Sequence, residues 1–220
     1  MFKISAGTGV ALVISAVSLF ACPCFYDYDF SGTFLVDNEI VLIEFVVGQQ
    51  STVTIFTSSW DDGGFDPIMG LWDADGMRIM EQDDGLVTGS DISNGIVYDF
   101  GDWDNYITTT LDAGTYYMSV GQYNNYSNTV NLTDGFWFDN DPQFTKNQGI
   151  GNGDADYFNG ANYPGQSNYR TGDWNIHVTD VCNAHLIPYS PVPEPGTVTL
   201  LLAGLGFAGA FWRKRTRLRY

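Results

Sequence analysis

Between residues 57 and 85 the chain gathers carboxylates in a glycine-rich setting. Thr57-Ser-Ser-Trp-Asp-Asp-Gly-Gly-Phe-Asp-Pro runs on through a short apolar stretch into Asp73-Ala-Asp-Gly and then Glu81-Gln-Asp-Asp-Gly. Gly63 and Gly64 permit a tight backbone path. Asp61, Asp62 and Asp66 surround that path, and Asp73, Asp75, Asp83 and Asp84 fall at expected strand ends, at one edge. Calcium takes about six to eight oxygens from carboxylates, carbonyls and water in a flexible geometry. Four or five of these loop aspartates with nearby carbonyls meet that demand, so the seven are candidate calcium ligands. The spacing is not that of an EF-hand, because Asp73-Ala-Asp75-Gly76 lacks the third Asp and the distant Glu. Asp and Gly also form turns readily, and that plainer reading stands beside the metal.

Other chemistry has less to build on. His177 and His185 are the only histidines. Strand alternation makes His177 a surface or core filler rather than a triad base. No Gly-x-Ser-x-Gly or His-Glu-x-x-His motif occurs. No catalytic residue is assigned, and a secreted hydrolase is the weakest reading. Tyr123, Tyr126, Trp137, Tyr157, Tyr163 and Tyr169 lie among asparagines. Rings with amide neighbours suit polysaccharide, and they equally suit loops anchored to a core.

Charge narrows the partners. The chain carries −17 overall, but only Arg78, Lys146 and Arg170 lie within 25–190, against 25 of the 26 acids, which leaves that body at −22. Nucleic acid is a poor partner for such a field, and divalent cations are suitable ones.

Both ends read as export machinery. Lys3 precedes an apolar run from Val10 to Ala21, the shape of a secretory signal peptide that engages the secretion translocon. At the other end Pro193, Glu194 and Pro195 form a stiff, extended element followed by Gly196 and Thr197. Residues 198–212 are uncharged and apolar, about 22 Å as a helix, against a hydrocarbon core of about 30 Å. Arg213, Lys214, Arg215, Arg217 and Arg219 form a basic block that prefers the cytoplasmic side of the membrane.

The tail, Pro-Glu-Pro-Gly-Thr, apolar helix and Arg cluster in that order, resembles the PEP-CTERM sorting domain of Gram-negative bacteria. The resemblance implies recognition and processing by the membrane protease exosortase. It also implies a cell that makes extracellular polysaccharide or biofilm. The expected course is export through the inner membrane, a transient membrane anchor, then the cell surface or the extracellular space.

Three cysteines remain, and export places them in an oxidising setting. If cleavage follows Ala21, Cys182 can pair with Cys22 or Cys24; if it follows Cys24, Cys182 is left single. Ala21-Cys22 also leaves a lipoprotein signal open.

The expected order is a signal peptide with its helix at 1–24, an acidic body at 25–190, and a sorting signal at 191–220 with a transmembrane helix at 198–212. The body reads as all-β. Short runs rich in Val, Ile, Thr, Tyr and Phe are split by Gly, Asn and Asp. Strands are expected at 30–36, 40–47, 52–58, 68–73, 78–81, 106–111, 115–122 and 174–179. Two packed sheets bury their alternating faces, giving a jelly-roll-like β-sandwich. Asp112-Ala-Gly signals a hairpin turn. Residues 123–172 read as a long Asn/Gly-rich loop region with one strand near 131–138.

The Gly-Gly-Phe-Asp-Pro turn, the Asp-x-x-Gly turn and Leu111-Asp-Ala-Gly-Thr-Tyr-Tyr resemble exported bacterial β-sandwich domains related to the pre-peptidase C-terminal domain. That resemblance implies an accessory module, and it carries no catalytic residue over to this chain. The expected function is a non-enzymatic structural or adhesive component of the extracellular matrix. A calcium- or carbohydrate-binding accessory module, with exopolysaccharide as its partner, is the alternative.

Overall fold

The computed structural model describes residues 24–85, 87–150, 155–159 and 170–189. The signal peptide, Cys22, the sorting motif and the 198–212 helix lie outside them. Among the described residues eleven strands form in this order: β1 (Tyr26–Thr33), β2 (Ile40–Val47), β3 (Ser51–Thr57), β4 (Pro67–Trp72), β5 (Arg78–Gln82), β6 (Gly89–Ser93), β7 (Ile96–Phe100), β8 (Tyr106–Leu111), β9 (Gly114–Gln122), β10 (Asp173–Val181) and β11 (Asn183–Ile187). One sheet runs β1-β10-β3-β8, the second β11-β2-β9-β4-β5, and β6-β7 stand apart as a hairpin. Every pairing between these strands is antiparallel. The order β1-β10-β3-β8 against β2-β9-β4-β5 is the winding of a jelly roll, with β11 added at the β2 edge.

The alternation seen in the sequence fills the space between the sheets. Val53, Ile55, Ile107, Ile176 and Val178 of the first sheet meet Ile43, Phe45, Met69, Leu71, Met118 and Val120 of the second. Burying each such side chain contributes about 1.5–3 kcal/mol.

The outer faces are covered as well, which the alternation does not reveal. Phe56 is fully buried, although it points away from the central core. It packs against Phe100 of the β6–β7 hairpin and against Tyr106. On the second sheet Trp72, Ile40 and Phe136 form a smaller cluster, and the Trp72 indole N–H donates to Ser119 Oγ at 3.0 Å.

Two expectations need correction, and one element is new. Asp112-Ala-Gly closes no hairpin, because β8 and β9 belong to different sheets; the turn carries the chain across the sandwich. Residues 131–138 form no strand. They hold a short 3₁₀ turn at Leu132–Asp134 and isolated bridges, Met77 to Asn131 and Ser127 to Phe136. The β6–β7 hairpin was not foreseen: Asn94-Gly95 is its turn, with φ of 49° and 76°, the left-handed pair a tight hairpin turn requires.

The segment after β9 is irregular yet anchored. Asp37, fully buried, accepts from Thr145 N–H at 2.9 Å, Thr145 Oγ1 at 2.6 Å and Phe158 N–H at 2.6 Å. Phe144, in the one-turn helix α1 (Phe144–Asn147), stacks on Phe138 at 4.3 Å. Among the described residues no helix is long and apolar enough to cross a membrane.

Candidate functional site: an acidic oxygen cluster

Two chain ends of one hairpin build the site. Asp66 immediately precedes β4, and Asp83 and Asp84 immediately follow β5. Because β4 and β5 are antiparallel neighbours, their outer ends coincide. The β4–β5 turn places Asp73 and Asp75 at the opposite end. There Asp73 Oδ1 accepts from the N–H groups of Asp75 at 3.0 Å and Met77 at 2.8 Å. Asp73 is thus a turn former, and Asp75 is exposed. Asp61 and Asp62 are exposed in the β3–β4 connection. Of the seven candidate ligands, Asp66, Asp83 and Asp84 come together, with one carboxylate oxygen from each lying within 4.8 Å of the others.

The surrounding backbone is tightly fixed. Asp66 carbonyl accepts from Tyr123 N–H at 2.7 Å, and Pro67 carbonyl accepts from Asn105 Nδ2 at 2.5 Å. Gln82 bridges the two sheets: its Oε1 accepts from Tyr106 N–H at 2.9 Å and its Nε2 donates to Tyr106 carbonyl at 3.2 Å.

What distinguishes the cluster is a shortage of donors. Asp66 Oδ1, Asp83 Oδ1 and Asp84 Oδ1 are buried and, among the described residues, accept no hydrogen bond. Nor do Gln122 Oε1, on the cross-strand partner of Pro67, and Asn105 Oδ1, on the residue whose amide holds Pro67. Buried polar atoms are rarely left this way. The contrast with Asp104 is direct. That carboxylate is fully buried, yet it accepts from Thr57 Oγ1 and from the N–H groups of Ser59, Trp60 and Gly101, at 2.9–3.3 Å.

Electrostatics agree. Burial, then the charges of Asp84, Asp83 and Asp104, push the Asp66 carboxyl far above its ordinary range, with Arg170 opposing. Burial and the neighbouring Asp83 and Asp102 push Asp84 up to about 6. Burial raises Asp83 too, opposed by the hydrogen bond from Tyr126. Unpaired acceptors with mutually repelling charges are what a cation satisfies. One oxygen from each of the three carboxylates lies close enough to the others for a single cation to reach all three. Asp66, Asp83 and Asp84 would hold the ion, and the fit of the donor set rests on those orphaned oxygens.

A second constellation was missed. Ser58 Oγ lies 2.8 Å from His177 Nε2, and His177 Nδ1 lies 2.7 Å from Asp29 Oδ1. A carboxylate can only accept, so neutral His177 carries its hydrogen on Nδ1 and accepts from Ser58. Asp29 and Phe56 flank His177 on neighbouring strands. Only this register, invisible in the sequence, brings the three together. The order resembles a hydrolytic triad, but the amides following Ser58 are already engaged by Asp104. His177 is sandwiched between Phe56 at 4.5 Å and Tyr98 at 3.9 Å.

Of the aromatic candidates, Tyr126 stands 5.1 Å from Trp137 and 6.4 Å from Tyr123. Tyr157 packs on the main core, and Tyr163 and Tyr169 lie outside the described residues. Cys24 is bonded to Cys182, with Cα atoms 4.8 Å apart.

Residues 191–215 match the PEP-CTERM protein-sorting motif. The match indicates a protein that is exported and sorted by exosortase, with its C-terminus held in the membrane before processing. The relationship of the body to the pre-peptidase C-terminal domain gains no support. No curated protein matches the chain.

Proposed function

We propose that the exported body is a non-catalytic structural or adhesive module of the extracellular matrix, braced by calcium. The observation that carries this reading is the set of orphaned oxygens at Asp66, Asp83 and Asp84. A sorting tail delivers the body to a setting where calcium is abundant, and the acidic body is suited to receive it. The ion ties the start of β4 to the end of β5, and through Tyr126 and Tyr123 to the segment after β9. The engagement of the Ser59 and Trp60 amides by Asp104 supports a non-catalytic role for the Ser58–His177–Asp29 chain.

The test is thermal unfolding of the full chain in detergent, in millimolar calcium, in chelator and in magnesium. A ligand present at about a hundredfold its Kd stabilises by about 2.7 kcal/mol. For a chain of this size that is a rise of about 5–10 °C. Equal midpoints in calcium and chelator would discard the metal.

A further inference from the structure

We infer that the face of the body around Tyr189 is where the exported protein docks on exosortase while its tail is processed; this rests on the sorting reading of that tail. The first observation is a short leash. The described residues end at Tyr189, and Tyr189 is fixed to the body. Its hydroxyl donates to the Asp139 carboxylate, 3.0 Å from either oxygen. Its ring stands edge-on to Phe136 at 5.5 Å, against the cluster of Ile40, Trp72 and Phe136. Pro193 is four residues further on, so it lies at most about 14 Å from Tyr189, whatever path the chain takes between them.

That reach is shorter than an enzyme is wide. A single helix with its side chains is about 10–12 Å across, and a protease that closes around Pro193–Pro195 is broader than one helix. It therefore meets the folded body as it takes hold of the motif. The membrane enforces the same approach. Val198, where the apolar run begins, is nine residues beyond Tyr189, at most about 32 Å away, so the body stays beside the bilayer in which the enzyme sits. Covalent length dictates the contact, and it falls on whatever surrounds Tyr189.

Those surroundings offer a cleft and an apolar knob. Phe34, Asn38, Glu39, Ile40 and Tyr189 line a cleft of about 280 Å³. Asn38 Nδ2 donates to the Asp139 carbonyl at 2.7 Å, so Asp139 holds both Asn38 and Tyr189. Beside the cleft stands Leu35, which follows Phe34 and donates its N–H to the Glu39 carboxylate. The same carboxylate accepts from Val36 N–H at 3.3 Å, which fixes the turn that presents Leu35. Leu35 is 77% exposed, more than any other large apolar side chain among the described residues. Docking there removes its apolar area from water, so the matching surface of exosortase is an apolar socket next to its active site.

The experiment is pulse-chase of the full chain in a host with exosortase and in one without it. Only precursor in which Cys24 and Cys182 are bonded is counted, since that bond marks a chain already exported. Leu35→Arg should slow removal of the tail by about tenfold, the loss of one buried leucine contact. Ile92→Arg is the control. Ile92 is 57% exposed but lies on the β6–β7 hairpin, which packs on the first sheet through Phe100 and Phe56, and its variant should be processed at the parent rate. An insertion of about twenty Gly and Ser residues after Tyr189 frees the enzyme from the body. With it, the Leu35→Arg chain should be cut as fast as the parent carrying the same insertion. Equal rates for parent and Leu35→Arg at native spacing overturn the inference, as does slowing that survives the insertion or that Ile92→Arg reproduces. Those outcomes leave the sorting reading standing. A parent chain cut no faster with exosortase than without it removes both.

Discussion

Tyr126 donates its phenolic hydrogen to Asp83, so a residue of the irregular segment after β9 is tied to the oxygen cluster at the end of the β4–β5 hairpin. The cluster is therefore a junction between regular and irregular parts of the molecule, and charge changes there should be read in both.

Asp66→Asn and Asp84→Asn remove a repelling charge as well as a ligand. In chelator each should raise the unfolding midpoint by a few degrees, because one of the buried like charges is gone. In calcium each should lose most of the metal-induced rise. Asp75→Asn, at the far end of the hairpin, should change neither. A scan of the three variants in both buffers decides it.

The pH dependence of His177 has a definite sign. Burial holds its imidazole below the ordinary histidine value, with the Asp29 carboxylate opposing. Because the folded value is depressed, His177 stabilises the fold above about pH 6.5, and this contribution is lost as pH falls through the folded value. His177→Gln should therefore show a smaller fall in midpoint between pH 7.5 and pH 5 than the parent chain, both measured in chelator. Equal slopes would show that the Ser58–His177–Asp29 chain does not titrate with folding.

Cys24 and Cys182 close a loop of sequence separation 158. The chain-entropy account gives such a bond about 5 kcal/mol, acting on the unfolded chain. Reductant should lower the midpoint by about 10–20 °C. Cys182→Ser should start at that lower value and ignore reductant. Mass spectrometry of the exported protein should find Cys24 retained and bonded, as cleavage after Ala21 would allow.

Phe144 is fully buried and stacked on Phe138. Phe144→Ala should cost about 3–5 kcal/mol, measured by chemical denaturation. Proteolysis should then cut first between residues 138 and 150, where the ring pins irregular chain rather than a strand.

Removing residues 191–220 should abolish exosortase-dependent sorting while leaving the calcium-induced thermal shift of the body unchanged, tested by fractionation and by unfolding of the exported product.

Much of the sandwich was legible because its strands alternate. Ile40–Val47 and Tyr106–Leu111 begin and end where period and composition place them. Phe56 was harder: an apolar residue on a polar face announces a cover, but not that the cover is a hairpin forty residues on. The strands β6 and β7 were hidden by Gly89, Ser90, Asp91 and Asp99, since a hairpin standing apart from both sheets exposes most of its length. Abundance of aspartate pointed to a metal. Which aspartates meet depends on pairing: one hairpin separates Asp73 from Asp83 while uniting Asp83 with Asp66. Gln122 and Asn105 carried no signal, because an amide oxygen gains meaning only once its lack of a donor is seen.

The bond between Cys24 and Cys182 has a mechanical corollary. A pull applied between the two ends of the exported chain enters at one cysteine and leaves at the other. The load bypasses every residue of the closed loop between them, and among the described residues what can be peeled away is β11, beyond Cys182 and hydrogen-bonded along the β2 edge, with Tyr189 after it, held to Asp139. While its tail is held at the membrane, this module can bear tension from its surroundings like a link in a chain, with one short strand as its yielding part.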